Sequence, residues 1–435
     1  MFRKILIVGT TPYSKNTSAR AFEAYFSGWE RENLAQVFSN PKPPLKGHAE
    51  YFYQITDKRL LLRRFFPETK IEKTFRFDEL ETEEKTRFGE RGIFGFLYSI
   101  GSRKNPFIYL ARKMLWKRKL WQSAEFDKWL EDFGPECVFL SFSDDFFIPE
   151  IALYAAEKFD IPIISSIGDD YYFNGKKSLS PLYHIYKSSY RRLIRKVFAH
   201  GGSAIFISDK IRDKYNAEFG LSGKTVYLSS ELKRKDFSPV NRENPVISYF
   251  GNIRQGRNES LSAIGKALGK ISPDYKLHIY SAQTERKTTA VFDNNPNVVF
   301  HGPIPYSEVA AKTAESDIVV IVEGFREKHI RNTRYSLSTK AADCLASGAQ
   351  ILVFGSADCG IIEYMKSTES AAVCTDEKEL CSAIRRLIDD EVFQRQCYEN
   401  AKIITEKNHN LKNSNAVFRS VTEDAINGYR KKNGL

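Results

Sequence analysis

Basic and hydroxyl-bearing side chains cluster at two places in this 435-residue chain, and a helix is predicted to begin at both. The stretch GNIRQGR, residues 251–257, places Arg254 and Arg257 after an apolar run. The stretch SLSTK, residues 336–340, is followed three residues later by Asp343. Guanidinium groups and the free N–H groups of a helix start both bind phosphate oxygens. The two stretches therefore predict a site for a phosphorylated ligand, with Asp343 suited to a pair of hydroxyl groups.

Each stretch also has a purely structural interpretation, which the sequence leaves open. Arg254 and Arg257 fit a solvated basic turn equally well. Ser338 or Thr339 can act as a helix N-cap alone, and Asp343 as a favourable charge near the positive end of the helix dipole. Because both stretches lie in the same half of the chain, the ligand-binding interpretation is favoured. His301, in a His-Gly-Pro turn, is predicted to be a packing residue and not a catalyst.

Short apolar runs alternate with helical patterns along the chain, which favours buried parallel strands joined by crossover helices. The predicted strands are residues 5–8, 137–142, 161–165, 204–207 and 225–228, then 246–250, 277–280, 298–300, 318–322, 351–354 and 371–374. A charged, proline-containing stretch at residues 233–245 separates the two series. We therefore expect an α/β protein with an N-terminal domain (1–238), a C-terminal domain (239–412) and a last helix (413–435) crossing back to the first domain.

The composition narrows the class of protein further. With 42% hydrophobic residues the chain can bury large cores, and no apolar run approaches the roughly 18 residues needed to cross a bilayer. The N-terminus is predicted to be a strand and not a signal peptide. The six cysteines show no paired spacing, so we expect reduced thiols in a cytoplasmic protein, with neither disulfides nor a zinc site.

The positive charge is concentrated in the N-terminal half. Residues 1–240 hold 40 Lys+Arg and 30 Asp+Glu, a net of +10, whereas residues 241–435 hold 26 and 24, a net of +2. This asymmetry predicts that the N-terminal half meets an acidic partner, and nucleic acid, anionic lipid and a phosphorylated acceptor are all candidates.

Three stretches together resemble the nucleotide-sugar domain of GT-B glycosyltransferases, most closely the family 4 type of capsule and exopolysaccharide synthesis. They are VISYFGNIRQGRNESLSAIGKAL, NVVFHGPIPYSEVAAKTAESDIVVIVEGF and RYSLSTKAADCLASGAQILVFG. The resemblance is good over residues 245–405 and weaker over residues 1–240. It implies the GT-B architecture, with two doubly wound, Rossmann-like parallel-sheet domains facing a cleft. It also implies a retaining transferase that needs no metal.

The resemblance implies roles for the basic loop. The family often carries Gly-Arg and, six residues after the glycine, a lysine, and both cations meet the diphosphate. Here Gly251 is followed by Asn252, and Arg257 takes the lysine position. Arg254 is expected to compensate for the missing arginine.

The resemblance also implies roles for the second stretch. The family's two glutamates, with seven residues between them, fall on Tyr335 and Asp343. Asp343 replaces the second glutamate, which holds the ribose. Tyr335 does not replace the first, so Glu323 is expected to take over the contact with the donor sugar. The other donor-side candidates, at the helix start or at strand ends, are Ser336, Ser338, Thr339, Lys340, Tyr280 and Ile304.

Candidates for the acceptor side lie in the N-terminal domain. Asn16, Thr17 and Ser18 follow the first predicted strand, in a loop that lacks the G-x-G-x-x-G pattern of dinucleotide-binding enzymes. Asp169 and Asp170 follow another strand. Asp169 is expected to act in catalysis by orienting the acceptor hydroxyl, although a carboxylate in this position can equally cap its own turn.

A basic face is predicted between Arg91 and Ala124, where eight Lys+Arg occur without any Asp or Glu. The segment 107–122 is amphipathic, and aromatic residues beside basic ones are typical of helices that lie on a membrane surface. The alternative is a core helix with a solvated basic face. The candidate lipid contacts are Lys113, Trp116, Lys117, Arg118 and Trp121.

These observations favour a retaining glycosyltransferase that moves a sugar from a nucleoside-diphosphate sugar to a saccharide acceptor, expected to be lipid-linked, in surface polysaccharide synthesis. Neither a cofactor nor a metal is expected. The enzyme is predicted to be cytoplasmic and peripheral on the inner face of the plasma membrane. The alternatives are a nucleotide-sugar epimerase on the same fold and, less favoured, a basic nucleic-acid-binding protein, for which no recognised motif is present.

Overall fold

The computed structural model describes residues 3–12, 19–82, 106–175 and 178–434. The chain divides into two compact units. The first consists of Met1–Val226 together with Asn415–Leu435, and the second of Tyr227–Ser414.

The first unit is built on an eight-stranded sheet with the order β4-β3-β2-β1-β5-β6-β7-β8. All neighbouring strands are parallel except β3 and β4, which are antiparallel. The strands are β1 Ile5–Gly9, β2 Leu34–Phe38, β3 Tyr51–Ile55, β4 Glu72–Arg76, β5 Cys137–Ser141, β6 Ile163–Ile167, β7 Gly202–Phe206 and β8 Lys224–Thr225.

The sequence analysis did not predict β2, β3 or β4. Two of these strands carry a buried glutamine whose amide donates to the backbone of a loop: Gln36 to Thr11 O (3.2 Å) and Gln54 to Asn40 O (2.8 Å). A polar residue inside a short apolar run breaks the hydrophobic pattern from which strands are predicted. The antiparallel edge strand β4, with the sequence EKTFR, is mostly polar.

The helices of the first unit surround this sheet and include the last helix of the chain, α17, whose residues from Asn415 onward belong to this unit. They are α1 Ala19–Phe26, α2 Asp57–Phe65, α3 Pro106–Leu115, α4 Arg118–Trp121, α5 Ala124–Phe133, α6 Phe147–Phe159, α7 Pro181–His200, α8 Asp209–Phe219 and α17 Leu411–Asn433. Phe418 of α17 packs edge-on against Phe26 and Phe139, at 5.2 and 5.6 Å between ring centroids. The end of the chain thus contributes to the core of the first unit.

The second unit has a six-stranded, wholly parallel sheet with the order β11-β10-β9-β12-β13-β14. The strands are β9 Val246–Phe250, β10 Lys276–Tyr280, β11 Val298–Gly302, β12 Ile318–Val322, β13 Gln350–Phe354 and β14 Ala372–Cys374. The helices are α9 Arg257–Ile271, α10 Arg286–Thr289, α11 Tyr306–Glu315, α12 Glu327–Thr333, α13 Lys340–Ser347, α14 Gly360–Ser367, α15 Leu380–Asp389 and α16 Glu391–Asn408. This strand order is that of a doubly wound Rossmann-like sheet.

The direction of the sheet's strand order reverses between β9 and β12. These two strands are paired only over Ile247–Ser248 and Ile318–Val319. In open sheets of this type, ligands bind beyond the carboxyl ends of the strands at the point of reversal. The loops after β9 and β12 are therefore the expected place for a ligand in this unit.

The second unit differs from the prediction at two places. The charged segment 326–334 contains the short helix α12, which the sequence analysis did not predict. The serine-rich helix was expected to begin at Ser336, whereas α13 begins at Lys340. The serines therefore lie in the approach to the helix and not in its first turn.

Candidate functional site

A buried ion pair joins the ends of β9 and β12. Glu323 follows β12 directly, and only 3% of its side chain is exposed. Its two carboxylate oxygens accept from Nη2 (2.8 Å) and Nε (3.1 Å) of Arg257, the first residue of α9. The Glu323 main chain is fixed as well, because its carbonyl accepts from Ser260 Oγ at 2.7 Å. The loops after the two strands are thereby held together.

This pair alters the roles expected from the resemblance. Arg257 was expected to meet a diphosphate, and Glu323 a donor sugar. In the structure, each is the principal partner of the other. Burial alone would lower the pKa of Arg257, but the Glu323 carboxylate raises it above its usual value, so the guanidinium stays charged. Glu323 is not oriented as an independent sugar ligand, since both its oxygens are engaged.

Lys340 lies beside this pair at the start of α13. Its Nζ donates to the hydroxyl of the buried Tyr249 (2.7 Å), which in turn donates to the carbonyl of Asn252 (2.6 Å). The Nζ is also 4.4 Å from the centre of the Tyr249 ring. Desolvation, and to a lesser extent the charge of Arg257, lower the pKa of Lys340 to about 7. Among the residues that the structure describes, Lys340 forms no ion pair, so its side chain can receive an anion.

Gly251, directly after β9, makes room for this lysine. Its φ is +129°, in the region that favours glycine. A Cβ at this position would lie 2.2 Å from Cε and 2.5 Å from Nζ of Lys340. The glycine is therefore required for the lysine to lie across the end of β9.

The start of α13 is capped by Ser338. Its carbonyl accepts from Ala341 N (2.9 Å), and its Oγ accepts from Lys340 N (3.4 Å). The exposed Thr339 makes no side-chain cap bond, and Ser336 Oγ donates to Asn332 O (3.4 Å). For Ser338, the structure thus supports the capping role that the sequence left open.

Asp343 lies in the first turn of α13 and is partly buried. Its Oδ1 accepts from Ser230 Oγ at 2.7 Å, and the main-chain N of Ser230 donates to His409 O at 3.4 Å. Ser230 is a partner that the sequence analysis missed, because it is 113 residues away from Asp343. This hydrogen bond fixes the orientation of the carboxylate at the helix start.

The loop after β9 forms a tight turn that is stabilised by Asn252. Asn252 Oδ1 accepts from Arg254 N at 2.7 Å. The exposed Arg254 forms an ion pair with Glu285, which also lowers the pKa of that carboxylate. An incoming phosphate would have to compete with Glu285 for this arginine, so Arg254 is a weaker candidate than Lys340.

Aromatic rings line the carboxyl ends of β9, β10 and β11. Tyr280 stacks on Phe250 (5.1 Å between centroids) and on His301 (4.6 Å). His301 Nε2 lies 2.9 Å from His278 Nδ1. These are the contacts of a packing histidine, as the sequence predicted. Ile304, two residues beyond β11, is partly buried.

The structure describes only two of the five acceptor-side candidates. Asn16, Thr17 and Ser18 lie outside the described residues. Asp170 Oδ1 accepts from Phe173 N (2.8 Å) and from Tyr215 OH (3.1 Å), so this oxygen caps its own turn, and a contact of Asp170 with an acceptor stays a prediction.

Asp169, in contrast to Asp170, is exposed. It has electrostatic or hydrogen-bonding contacts within the protein. Its role in orienting an acceptor hydroxyl stays a prediction.

The interpretation of Trp116 and Trp121 as lipid contacts was wrong. Both indoles are buried, each with 1% exposure. Trp116 stacks on Phe147 (3.6 Å between centroids) and donates from Nε1 to Asp57 Oδ1 (2.6 Å), while Trp121 Nε1 donates to Trp116 O (3.1 Å). The predicted amphipathic segment is divided into α3 and α4, so the single hydrophobic side inferred from helical periodicity is not formed.

The basic residues of this segment lie at the surface. Lys117 and Arg118 are exposed, and Lys113 is partly buried with its Nζ 4.5 Å from the Phe146 ring centre. Phe107 and Met114 of α3 are the large apolar side chains exposed nearby, at 64% and 59%. None of the helices described by the structure has the length and apolar character needed to cross a bilayer.

Two further features concern the metal and thiol chemistry considered from the sequence. Within the described ranges, no three His, Cys, Asp or Glu side chains form a group that could hold a metal ion. All six cysteines are described, and no disulfide joins them. Asp145, one of the paired acids after β5, is bound to Arg112, which also contacts Asp57 at 3.1 Å.

Comparison with known proteins gives one family match. Residues 254–416 match a family model described as glycosyl transferase-like. The matched region contains the loop after β12, the start of α13 and Asp343. A search of curated proteins by sequence found no match.

Solved structures share the fold over nearly the whole chain. HepE (Alr3699) from Anabaena, in complex with UDP, aligns with a TM-score of 0.56 at 12% identity, covering 97% of this chain and 100% of HepE. Sucrose-phosphate synthase from Thermosynechococcus elongatus gives 0.53 at 13% identity, covering 100% of both chains. WaaG, a glycosyltransferase of lipopolysaccharide biosynthesis, gives 0.52 at 11% identity, covering 98% of this chain and 99% of WaaG.

Residues 254–416 match the glycosyl transferase-like family model, and the expected GT-B architecture is confirmed. The match and the shared fold support a GT-B glycosyltransferase. Assignment to family 4 stays a prediction.

Proposed function

We propose that the protein transfers a sugar from a nucleoside-diphosphate sugar to a saccharide acceptor, and that the diphosphate binds at Lys340. The observation that carries this proposal is the position of the Lys340 ammonium at a helix start, between the Tyr249 hydroxyl and Gly251, where the strand order reverses. HepE, which shares the fold, has been solved with UDP, with UDP-glucose, and with UDP and glucose.

The proposed chemistry is electrostatic. As the bond to the sugar breaks, negative charge grows on the departing diphosphate, and donors already oriented towards it lower the barrier. Lys340 and the N–H groups at the start of α13 supply that stabilisation. Tyr249 positions Lys340, and the Glu323–Arg257 pair holds the two loops in register. In this proposal, the negative charge on the departing diphosphate is neutralised by cationic side chains of the protein and not by a metal ion.

The resemblance to family 4 supports retention of the anomeric configuration and a hexosyl donor. We include both in the proposal. Product stereochemistry, measured by NMR on the first glycoside formed, tests whether the anomeric configuration is retained. Incubation with donor alone separates transfer from the epimerase alternative, because an epimerase would alter the donor sugar without any acceptor.

Asp343 is proposed to bind the ribose hydroxyls. Replacing Asp343 by alanine should weaken UDP or GDP binding about tenfold, because two charge-assisted hydrogen bonds are lost. Isothermal titration calorimetry with both nucleotides measures this change and also identifies the preferred base.

The matched control for this variant is Ser230→Ala, which removes the hydrogen bond that orients Asp343 but leaves the carboxylate in place. It should weaken nucleotide binding less than Asp343→Ala. Equal nucleotide affinity in the wild type and in Asp343→Ala, with both proteins folded, would contradict the ribose assignment.

We further propose that the acceptor is lipid-linked, that the product is a surface polysaccharide, and that the enzyme is attached peripherally to the cytoplasmic face of the membrane. The net charge of +10 in residues 1–240 and the exposed Phe107 and Met114 beside Lys117 and Arg118 support this attachment. Near an anionic surface each basic residue contributes about 1 kcal/mol.

The triple variant Lys113→Glu, Lys117→Glu, Arg118→Glu should lose most of its sedimentation with phosphatidylglycerol vesicles, since it changes the local charge by six. The control reverses three exposed cations of the second unit, Arg385, Lys402 and Lys407, and keeps the same net charge. Similar losses in both variants would show that only overall charge matters, and the proposed surface would be discarded.

A further inference from the structure

A basic cavity lies in the first unit along α7, within a part of the chain that the family match does not cover. Its volume is about 610 Å³. The charged side chains that line it are Lys187, Arg191, Arg192 and Arg195, together with His184. The spacing of three and four residues places these side chains along one face of the helix.

Two of the four cations are fixed by neutral backbone carbonyls. Lys187 Nζ donates to Tyr171 O at 2.8 Å, and Arg191 Nε donates to Tyr172 O at 2.8 Å. Hydrogen bonds to carbonyl oxygens orient these groups but do not neutralise their charge. Burial lowers the pKa of Lys187 to about 8, so this lysine is partly desolvated before any ligand arrives.

Carboxylates offset little of the charge that lines the cavity. Arg195 lies 3.9 Å from Glu218 at the end of α8, and its side chain remains 65% exposed. Arg192 is also exposed. Asp170 and, to a lesser extent, Asp144 are close enough to raise the pKa of Lys187, but Asp170 Oδ1 is engaged in its own turn. Like charges three and four residues apart destabilise a helix, and an anionic ligand in the cavity would relieve this repulsion.

The start of α7 carries exposed apolar side chains. Leu179 is fully exposed, and Leu182 and Ile185 are 42% and 53% exposed. An apolar helix start followed by a cationic cavity fits a molecule with an apolar part next to a phosphorylated group.

We propose that the α7 cavity binds a phosphoryl or diphosphoryl group of the acceptor. Arg192 and Arg195 contact the phosphate oxygens, and Lys187 and Arg191 form the inner wall. Identification of the ligand as the acceptor rests on the proposed function. Binding of the anion does not, because the cavity lies in the other unit from Lys340.

Two probes test this assignment. The first is inorganic pyrophosphate, titrated calorimetrically into the Lys340→Ala protein so that the donor site contributes little. The second is sedimentation with phosphatidylcholine vesicles, with and without phosphatidic acid. The test variant is Arg192→Gln with Arg195→Gln. The control is Lys119→Gln with Lys196→Gln, two exposed lysines of the same unit that do not line the cavity.

We expect the test variant to lose at least tenfold in pyrophosphate affinity and the control to lose less than twofold. Both should keep the wild-type melting temperature, since the altered side chains are exposed. Vesicle binding that requires phosphatidic acid and both arginines indicates a lipid-borne phosphoryl group, whereas pyrophosphate binding alone indicates a soluble one.

If neither pyrophosphate nor phosphatidic acid binding depends on Arg192 and Arg195, the proposal is overturned. UDP titration separates this failure from failure of the proposed function. The test variant should bind UDP as the wild type does. If the wild type itself does not bind UDP, the donor-site proposal fails whatever happens at the cavity.

Discussion

Replacing Lys340 by alanine should weaken binding of a nucleoside diphosphate at least tenfold, which is about 1.4 kcal/mol. The Lys340 Nζ is hydrogen-bonded to the Tyr249 hydroxyl, and in the described part of the chain it forms no ion pair that must break before it binds phosphate oxygens. Calorimetry with UDP and GDP measures the change. Lys402→Ala, which removes an exposed lysine from the same unit, should leave the affinity unchanged.

The pH dependence makes this expectation more specific. Because the pKa of Lys340 is lowered to about 7 in the free protein, the side chain is mostly neutral above that pH. A bound diphosphate favours the charged form, so binding takes up a proton and the affinity falls as pH rises, by up to about tenfold per unit. Between pH 7.5 and 9 the terminal phosphate, with a pKa of about 6, is already ionised and does not contribute.

Over this pH range the wild type should lose affinity and Lys340→Ala should show little change. Gly251→Ala should resemble Lys340→Ala, because a methyl group would occupy the space of the lysine chain. A wild-type affinity independent of pH, together with normal binding by Lys340→Ala, would remove Lys340 from the site.

Replacing Glu323 by alanine should lower the free energy of unfolding of the second unit by about 3–5 kcal/mol, because it leaves the buried Arg257 without its partner. The exposed fractions of the two side chains, 3% for Glu323 and 15% for Arg257, put this pair in the buried class. The double variant Glu323→Leu with Arg257→Met should recover most of the loss, since neither buried charge remains.

The distribution of tryptophan provides an internal control for this measurement. Trp29, Trp116, Trp121 and Trp129 are the four tryptophans of the chain, and all lie in the first unit. Urea unfolding followed by tryptophan fluorescence therefore reports that unit, whereas far-ultraviolet circular dichroism reports both. We expect Glu323→Ala to shift only the dichroism. If the double variant is as unstable as Glu323→Ala, the loss in free energy of unfolding does not come from an unpaired buried charge.

This pair also changes what Arg257→Ala is expected to do. The sequence alone predicted a direct loss of donor binding. In the structure, the same substitution leaves the Glu323 carboxylate beside Lys340 without its arginine partner. Part of any loss of activity should therefore accompany a loss of stability. Comparing the melting temperature and UDP affinity of one protein sample separates the two contributions.

The sequence was sufficient to predict the sheet of the second unit, because its strands are short and mostly apolar, and the two strands β12 and β13 are fully buried. Each predicted strand agrees with the structure to within two residues at either end. Lys340 was also predicted as a site residue. The contacts that define its environment were not, because Tyr249 lies within a strand 91 residues away and its hydroxyl cannot be placed from the pattern alone.

The predictions that the structure corrected have a common physical cause, because each depended on contacts that the sequence pattern does not show. Glu323 and Arg257 are 66 residues apart and meet only because β9 and β12 are neighbours in the sheet. Trp116 and Trp121 were placed on a membrane because amphipathic periodicity does not distinguish a core-facing stripe from a lipid-facing one. Only the partners, Phe147 and Asp57 for Trp116, decide between the two.

The position of α17 has a consequence for how the chain acquires its structure during translation. Phe418, which packs on Phe26 and Phe139, leaves the ribosome only after the whole of the second unit has been synthesised. Part of the aromatic core of the N-terminal sheet therefore stays uncovered while about 190 residues of the second unit are synthesised and become able to fold. The first unit therefore begins to be synthesised before the second unit but is completed after it.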